Sequence, residues 1–338
     1  MKAAIIEEGQ PHPLLKEVKE PGPPGRGEVL VRVEAAGVCY RDLLNLRGLM
    51  PRAKRPVIMG HEFAGVVVEV GEDVEGLATG ERVAGLPYST CGECRYCLEG
   101  RVNLCRNRRQ LGEERSGSWA EYILVNARDV VKMPRHVDAS DASIAGCVLG
   151  MLIHALRDRA RVRPGEKVLV TGAGGGVGIH AVMVSKLLGC IVIASTSKVS
   201  KSEDVRLAGA DYVLVGADML STKVKEVTGG EGVDVVVECV GEPTFDHSLR
   251  STAWGGRVVV IGNVSVGEAR VPLGFIILRE NAVVGALGST INSLREALLL
   301  LESGRLKPRV TKIPLEKSSE ALEIIERRGN VGKLILVF

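Results

Sequence analysis

Val168-Leu169-Val170-Thr171 runs directly into Gly172-Ala173-Gly174-Gly175-Gly176-Val177-Gly178. The four-residue apolar run has the length of a buried strand. After the glycines, Val177, Ala181, Val184 and Leu188 recur at spacings of four, three and four, one face of a helix, and Gly189 stops it. Strand, glycine turn and helix together form an anion site. Free N–H groups and the partial positive charge of a helix N-terminus face a pyrophosphate, and glycines let the backbone approach it. The strict G-x-G-x-x-G is not met; the glycines instead fall as Gly172-x-x-Gly175-x-x-Gly178, with Ala173 at an alternative first position. Gly172, Gly175, Gly176, Val177 and Gly178 are the candidate phosphate contacts.

Further apolar runs follow at 191–194, 212–215, 233–239, 258–261 and 282–287, separated by helical patterns. Six strands with intervening helices predict an α/β fold with a doubly wound, parallel six-stranded sheet. A dinucleotide on such a sheet meets the end of the second strand with its adenosine ribose. An Asp or Glu there selects NAD. Here Thr196, Ser197, Lys198 and Lys201 occupy that end, favouring a 2′-phosphate and hence NADP(H) over NAD(H). The nicotinamide end would approach Val240, Gly262, Asn263 and Leu287.

The first 150 residues read differently. Short apolar runs at 2–6, 28–33, 64–70, 82–84 and 122–125 are separated by Gly, Pro and charge, as in a β-rich, barrel-like domain with long loops. From Ser293 onward come two helical segments and a closing apolar run at 333–338, expected to rejoin this first domain. Composition narrows the function classes. A net charge of +3 argues against nucleic-acid or membrane partners, and 3% aromatics leave little for base stacking. The uncharged stretch 168–185 changes period midway, so it reads as strand–turn–helix rather than a bilayer span. Met1-Lys2 passes straight into a strand-like run without a leader pattern, which places the protein in the cytoplasm, where eight cysteines mean metal or core rather than disulfides.

Four of them form Cys91-x2-Cys94-x2-Cys97-x7-Cys105, with Gly92, Glu93, Arg95 and Glu99 interspersed. Such spacing wraps a loop tetrahedrally around one Zn²⁺ and leaves no open position, the pattern of a structural site. Cys39, His61 and Cys147 are too dispersed to carry a metal signal by spacing alone.

The stretch Gly60-His61-Glu62-x2-Gly65-x5-Gly71-x2-Val74 resembles the zinc-containing alcohol dehydrogenase signature of the medium-chain dehydrogenase/reductase superfamily, and the cysteine loop, nucleotide turn and Cys147 follow in that family's order. The resemblance implies a GroES-like catalytic domain from residues 1–148 and 289–338, carrying the zinc loop 91–105, and a Rossmann domain over 149–288. It also implies a catalytic zinc on Cys39, His61 and Cys147, with Asp42 orienting His61 and Glu62 as alternate ligand. That makes two zinc ions per chain, and a homodimer or homotetramer. Cys190 and Cys239 read as core, His12, His136 and His247 as surface, and His154 and His180 as helix packing.

The chemistry expected first is hydride transfer between nicotinamide and a zinc-polarised alcohol or carbonyl. One departure opens an alternative. Zinc alcohol dehydrogenases place Ser or Thr two residues after the first ligand, often with His three further on, to relay the alcohol proton; here stand Arg41 and Leu44. Cys39-Tyr40-Arg41-Asp42-Leu43-Leu44, Asn263-Val264 and 272–278 resemble archaeal enzymes that reduce acryloyl-CoA with NADPH. In that branch hydride adds to an activated C=C bond, and Arg52, Lys54 and Arg55 either meet CoA phosphates or form a solvated basic loop. A third reading is a non-catalytic NADP(H)-binding protein, against which the retained Cys39, His61 and Cys147 argue.

Overall fold

The computed structural model describes residues 1–216 and 218–338, and its backbone forms two compact units. One comprises Met1–Met151, Gly288–Gly329 and Lys333–Phe338; the other comprises Leu152–Leu287 with Asn330–Gly332.

The first unit is β-rich. Its central strand, Glu28–Val38, pairs antiparallel with Glu62–Val70, with Tyr122–Asn126 and with Lys333–Val337. Outward from these lie Arg82–Gly85 and Val130–Lys132 on one side and Val310–Pro314 on the other. Along Glu28–Val33 the side chains alternate: Val29, Val31 and Val33 are buried and Arg32 is exposed, the period of a half-covered sheet. From Ala35 to Val38 every residue is buried, and two register shifts against Glu62–Val70 precede that change. The core joins these valines to Phe63, Val67, Trp119 and Leu336. Val310–Pro314 escaped the sequence reading because Thr311 and Lys312 are exposed, so this edge strand has no apolar run; its terminal Pro suits an edge position.

The second unit is the expected sheet. Six parallel strands run in the order Tyr212–Val215, Ile191–Thr196, Lys167–Val170, Val233–Glu238, Thr252–Val260, Ala282–Gly285. Val168–Val170 and Val235–Val237 are fully buried because helices cover the sheet, and Leu169, Ile193, Val236 and Val258 pack with Leu220, Val224, Phe245 and Leu249. Several strand ends differ from the apolar runs by one residue, and three differ by more. Ile191–Thr196 runs on through Ser195 and Thr196, Ala282–Gly285 stops two residues early, and the fifth strand begins at Thr252. There the exposed Trp254-Gly255 hides the start, and the pairing shifts register from Val233↔Thr252 to Val235↔Arg257. The helix Gly178–Leu187 buries Ile179 to Val182, Val184 and Ser185, a face broader than the narrow stripe of the pattern.

Candidate functional site

Cys39 follows the central strand of the first unit and opens the helix Tyr40–Leu46. Its N–H donates to Asp42 Oδ2 at 2.8 Å, so the side chain three residues on fixes the start of the helix. The other oxygen of Asp42 lies 3.1 Å from His61 Nδ1. That contact leaves His61 Nε2 facing Cys147 Sγ at 3.5 Å. His61 is held by Gly60, whose φ of +88° suits glycine and whose added Cβ would fall 2.1 Å from Trp119 Cδ1. Cys147 sits in a π-helical turn, Ala145–Leu149.

Donor atoms of Cys39, His61, Glu62 and Cys147 all lie within 4.8 Å of one another. Tetrahedral zinc, with Zn–S near 2.3 Å and Zn–N near 2.0 Å, separates its S and N ligands by about 3.5 Å; the Cys147–His61 distance matches. Glu62 lies at the edge of the cluster: its Oε1 is 3.9 Å from His61 Nε2, and its Oε2, with no hydrogen-bond partner among the described residues, packs against Gly37. The four residues could therefore hold one zinc.

The electrostatics are those of a buried, charged cluster. The Cys147 thiol hydrogen-bonds Cys39 and holds it well below the usual thiol range, while the same contact and burial raise Cys147. Burial works against a charged His61, yet Asp42 lifts it well above the usual histidine value. Burial also raises the Glu62 carboxyl, although Lys333 opposes it. Lys333 was invisible to the sequence reading. From the closing strand it donates to Glu62 Oε1 at 2.8 Å and to Val38 O at 2.7 Å, with both side chains out of solvent. A lone lysine on a hydrophobic strand gives no sign of such a partner.

Arg41 points to Glu113, Nε at 2.5 Å and Nη2 at 2.9 Å. Leu44 is buried. In the basic loop, Arg52 pairs with Glu114 at 3.2 Å, and Arg55 donates to Asn45 Oδ1 at 3.0 Å. Tyr88, under the Arg108 guanidinium, donates to Ser289 O, and the Ser289 hydroxyl donates to Gly146 O at 2.5 Å, bracing the turn that carries Cys147.

The second cluster lies in one loop. Sγ atoms are 3.5 Å apart for Cys91–Cys105, 3.6 Å for Cys94–Cys97 and 3.9 Å for Cys91–Cys97. Tetrahedral zinc–thiolate geometry requires about 3.8 Å, so all four thiols could grip one ion. N–H groups of Arg106 and Cys97 hold the Cys94 thiol down to about 6. Asp129 accepts from the Thr90 N–H and hydroxyl, and Arg128 donates to Cys91 O at 2.8 Å, anchoring the loop's base.

In the second unit, Gly178 opens its helix so close to Gly172 that an added Cβ would lie 2.2 Å from Gly172 O. Gly175 meets only Gly172 O, at 3.3 Å, leaving its outer face clear. A close, open turn of this kind fits a pyrophosphate. Thr196 is buried, Ser197 exposed and Lys198 half-buried at the end of Ile191–Thr196. Lys201 is buried and donates to Gly174 O at 3.3 Å and to Asn330 O. Val240 lies against Gly172, and Gly262 and Asn263 against Cys239 and Gly241, whereas Leu287 is largely exposed. His180 is buried and contacts Gly176 O, and Cys190 is core.

Residues 25–135 match the alcohol dehydrogenase GroES-like domain family, and residues 176–303 match the zinc-binding dehydrogenase family. The acryloyl-coenzyme A reductase of Sulfurisphaera tokodaii is 40% identical over 338 residues, covering 99% of each chain. An alcohol dehydrogenase of Geobacillus stearothermophilus is 34% identical over 340 residues, 99% of this chain and 98% of that one. Among solved structures, the alcohol dehydrogenase from the archaeon Aeropyrum pernix superposes with a TM-score of 0.93 at 30% identity, covering 100% of both chains. The chain belongs to the zinc-containing medium-chain dehydrogenase/reductase superfamily, the superfamily of the alcohol dehydrogenases.

Proposed function

We propose that this oxidoreductase uses NADPH to reduce the C=C bond of a short enoyl thioester of the acryloyl-CoA kind. Hydride goes to the β-carbon and a proton to the α-carbon, giving the saturated thioester and NADP⁺. The observation that carries this reading is Arg41. Two residues after Cys39, where an alcohol proton needs a hydroxyl, stands a guanidinium clamped to Glu113, and Leu44 fills the place of a relay imidazole. Conjugate reduction needs no alcohol relay. The 40% identity to an acryloyl-coenzyme A reductase over 99% of the chain points the same way.

When bound, zinc on Cys39, His61 and Cys147 supplies Lewis-acid polarisation of a carbonyl, and NADPH supplies hydride. The chain's own residues prepare that setting. Asp42 fixes the His61 ring so that Nε2 faces the thiols, and Lys333 balances Glu62. The Gly172–Gly178 turn receives the pyrophosphate, Thr196, Ser197 and Lys198 the 2′-phosphate, and Cys91, Cys94, Cys97 and Cys105 a second, structural zinc. A cofactor of the reverse preference, NADH, would remove support for Lys198. The intact Cys39, His61 and Cys147 cluster favours a second reading, carbonyl reduction with alcohol as product.

A stopped assay with NADPH against acryloyl-CoA, crotonyl-CoA, small aldehydes and ketones separates the readings. Enoyl thioesters are expected to turn over; turnover of carbonyls alone overturns the first reading. No turnover at all favours a non-catalytic binding protein.

We also place the protein in the cytoplasm as a homodimer or homotetramer. Thiols in two ligand sets need a reducing compartment. Among the described residues no helix is long and apolar enough to cross a membrane. The helix Leu273–Arg279 exposes Leu273, Ile277 and Leu278 beside the edge strand Ala282–Gly285, a surface suited to self-association. Light scattering on the purified protein tests the assembly.

A further inference from the structure

Glu238 ends the strand Val233–Glu238 with its side chain wholly buried, and no cation pairs with it among the described residues. A lone buried carboxylate is costly unless its oxygens are fully hydrogen-bonded. Here they are. Oε1 accepts from the Thr171 hydroxyl, the Val240 N–H, the Gly241 N–H and the Thr244 hydroxyl, each at 2.8 Å, and Oε2 accepts from the Ser248 hydroxyl. Thr171 Oγ1 in turn accepts the Cys239 N–H at 2.9 Å.

The place matters as much as the partners. Val233–Glu238 lies next to Lys167–Val170, where the strand order reverses, and open sheets of this kind bind ligands in the crevice at that point. Two helix N-termini meet there, those of Gly178–Leu187 and Glu242–Ser251. Both would attract an anion. Glu238 already occupies the N–H groups leading into the second helix, so only the glycine turn is left for a pyrophosphate.

The same bonds set the shape of the next loop. Gly241 takes φ +97° and ψ −136°, and an added Cβ would fall 2.7 Å from Asn263 Cα. The Val240 side chain reaches to 2.8 Å from where a Cβ on Gly172 would stand. Through Thr171 on one side and Val240 and Gly241 on the other, a single carboxylate ties the phosphate turn to the loop beyond the neighbouring strand.

We propose that Glu238 is a positioning residue for the dinucleotide. It locks Val240 and Gly241 in register with the Gly172–Gly178 turn and fills the helix N-terminus that would otherwise compete for phosphate. The inference rests on the proposed cofactor at that turn.

Three variants test it, with amide hydrogen exchange on the cofactor-free protein and NADPH fluorescence titration as readouts. Glu238→Ala releases the loop, so exchange across 239–244 should quicken at least about tenfold and the Kd for NADPH rise about tenfold. Glu238→Gln keeps the acceptor and the shape, so it should recover most of both losses. Thr171→Val removes the link from the phosphate turn to Glu238 and the hydroxyl that accepts the Cys239 N–H; it should raise the Kd by a smaller factor, and it serves if Glu238→Ala does not fold. Zinc content should stay unchanged in all three.

Unchanged exchange across 239–244 in Glu238→Ala and Thr171→Val overturns the proposal, as does a Glu238→Gln that is no better than Glu238→Ala. If the unaltered protein binds NADPH yet turns over no enoyl thioester, the substrate reading alone fails. If it binds no NADPH, the cofactor reading fails, and the exchange data still decide whether Glu238 holds the loop.

Discussion

Arg41 grips Glu113 through both Nε and Nη2, so the cation nearest in sequence to Cys39 is fixed by a carboxylate that is itself almost fully buried. Arg41→Ser breaks both bonds, strands Glu113 and installs a hydroxyl in the relay position. Stability should fall by about 1–3 kcal/mol, and Glu113→Gln in the same chain should restore part of it, as read by urea titration. If the relay argument is right, the ratio of kcat/KM for ketones to that for enoyl thioesters rises in Arg41→Ser. A constant ratio would remove Arg41 as the basis of substrate choice.

Metal analysis should find two zinc ions per chain. Cys94→Ser should lose one and lower the thermal midpoint while the remaining ion supports turnover. Cys39→Ser should lose the other and reduce turnover at least about 100-fold, the scale of losing a Lewis acid. Retention of both ions in Cys39→Ser would disprove the cluster as a zinc site.

Lys198→Ala should weaken NADPH about tenfold, or about 1.4 kcal/mol, and leave NADH unchanged. Equal weakening of both cofactors would mean that Lys198 supports the loop rather than a 2′-phosphate. Competition between the two cofactors in a binding titration measures this directly.

Glu166 and Arg257 form a bidentate pair at 3.0 and 2.7 Å, both largely buried. Burial pushes the Glu166 carboxyl up, but the Arg257 guanidinium and the Arg163 N–H outweigh it and hold it below its ordinary value of 4.5. A depressed carboxyl stabilises the fold above its unfolded value, and that contribution is lost as pH falls through the lower, folded one. Glu166→Gln should therefore cost about 1–3 kcal/mol at pH 7, with the two proteins converging well below pH 4.5. Denaturation curves at several pH values would expose a constant gap, which contradicts the linkage.

What was legible in the sequence was what sits close together along it. The glycine turn, the six apolar runs and the four-cysteine loop are contiguous signals, and the sheet order and the thiol spacings agree with them. Cys39, His61 and Cys147 are scattered, so only a resemblance could group them before the fold did. Lys333, Glu113, Asp129 and Glu238 escaped altogether. Each is an ordinary charged residue whose role depends on a partner from another element, and periodicity carries no information about such pairs. Val310–Pro314 escaped for a related reason, since an edge strand need not be apolar.

The Lys333–Glu62 pair has a consequence for biosynthesis. Cys39 and His61 leave the ribosome early, but the ammonium that balances Glu62 is translated only after the whole six-stranded sheet. Until then Glu62 lacks its lysine partner, and Glu28–Val38 lacks its partner strand Lys333–Val337. The four thiols of the loop from Cys91 to Cys105 and its anchors Arg128 and Asp129 are all translated before that six-stranded sheet begins. The four-cysteine loop is thus complete in sequence long before the cluster of Cys39, His61, Glu62 and Cys147, whose setting closes only with the last strand.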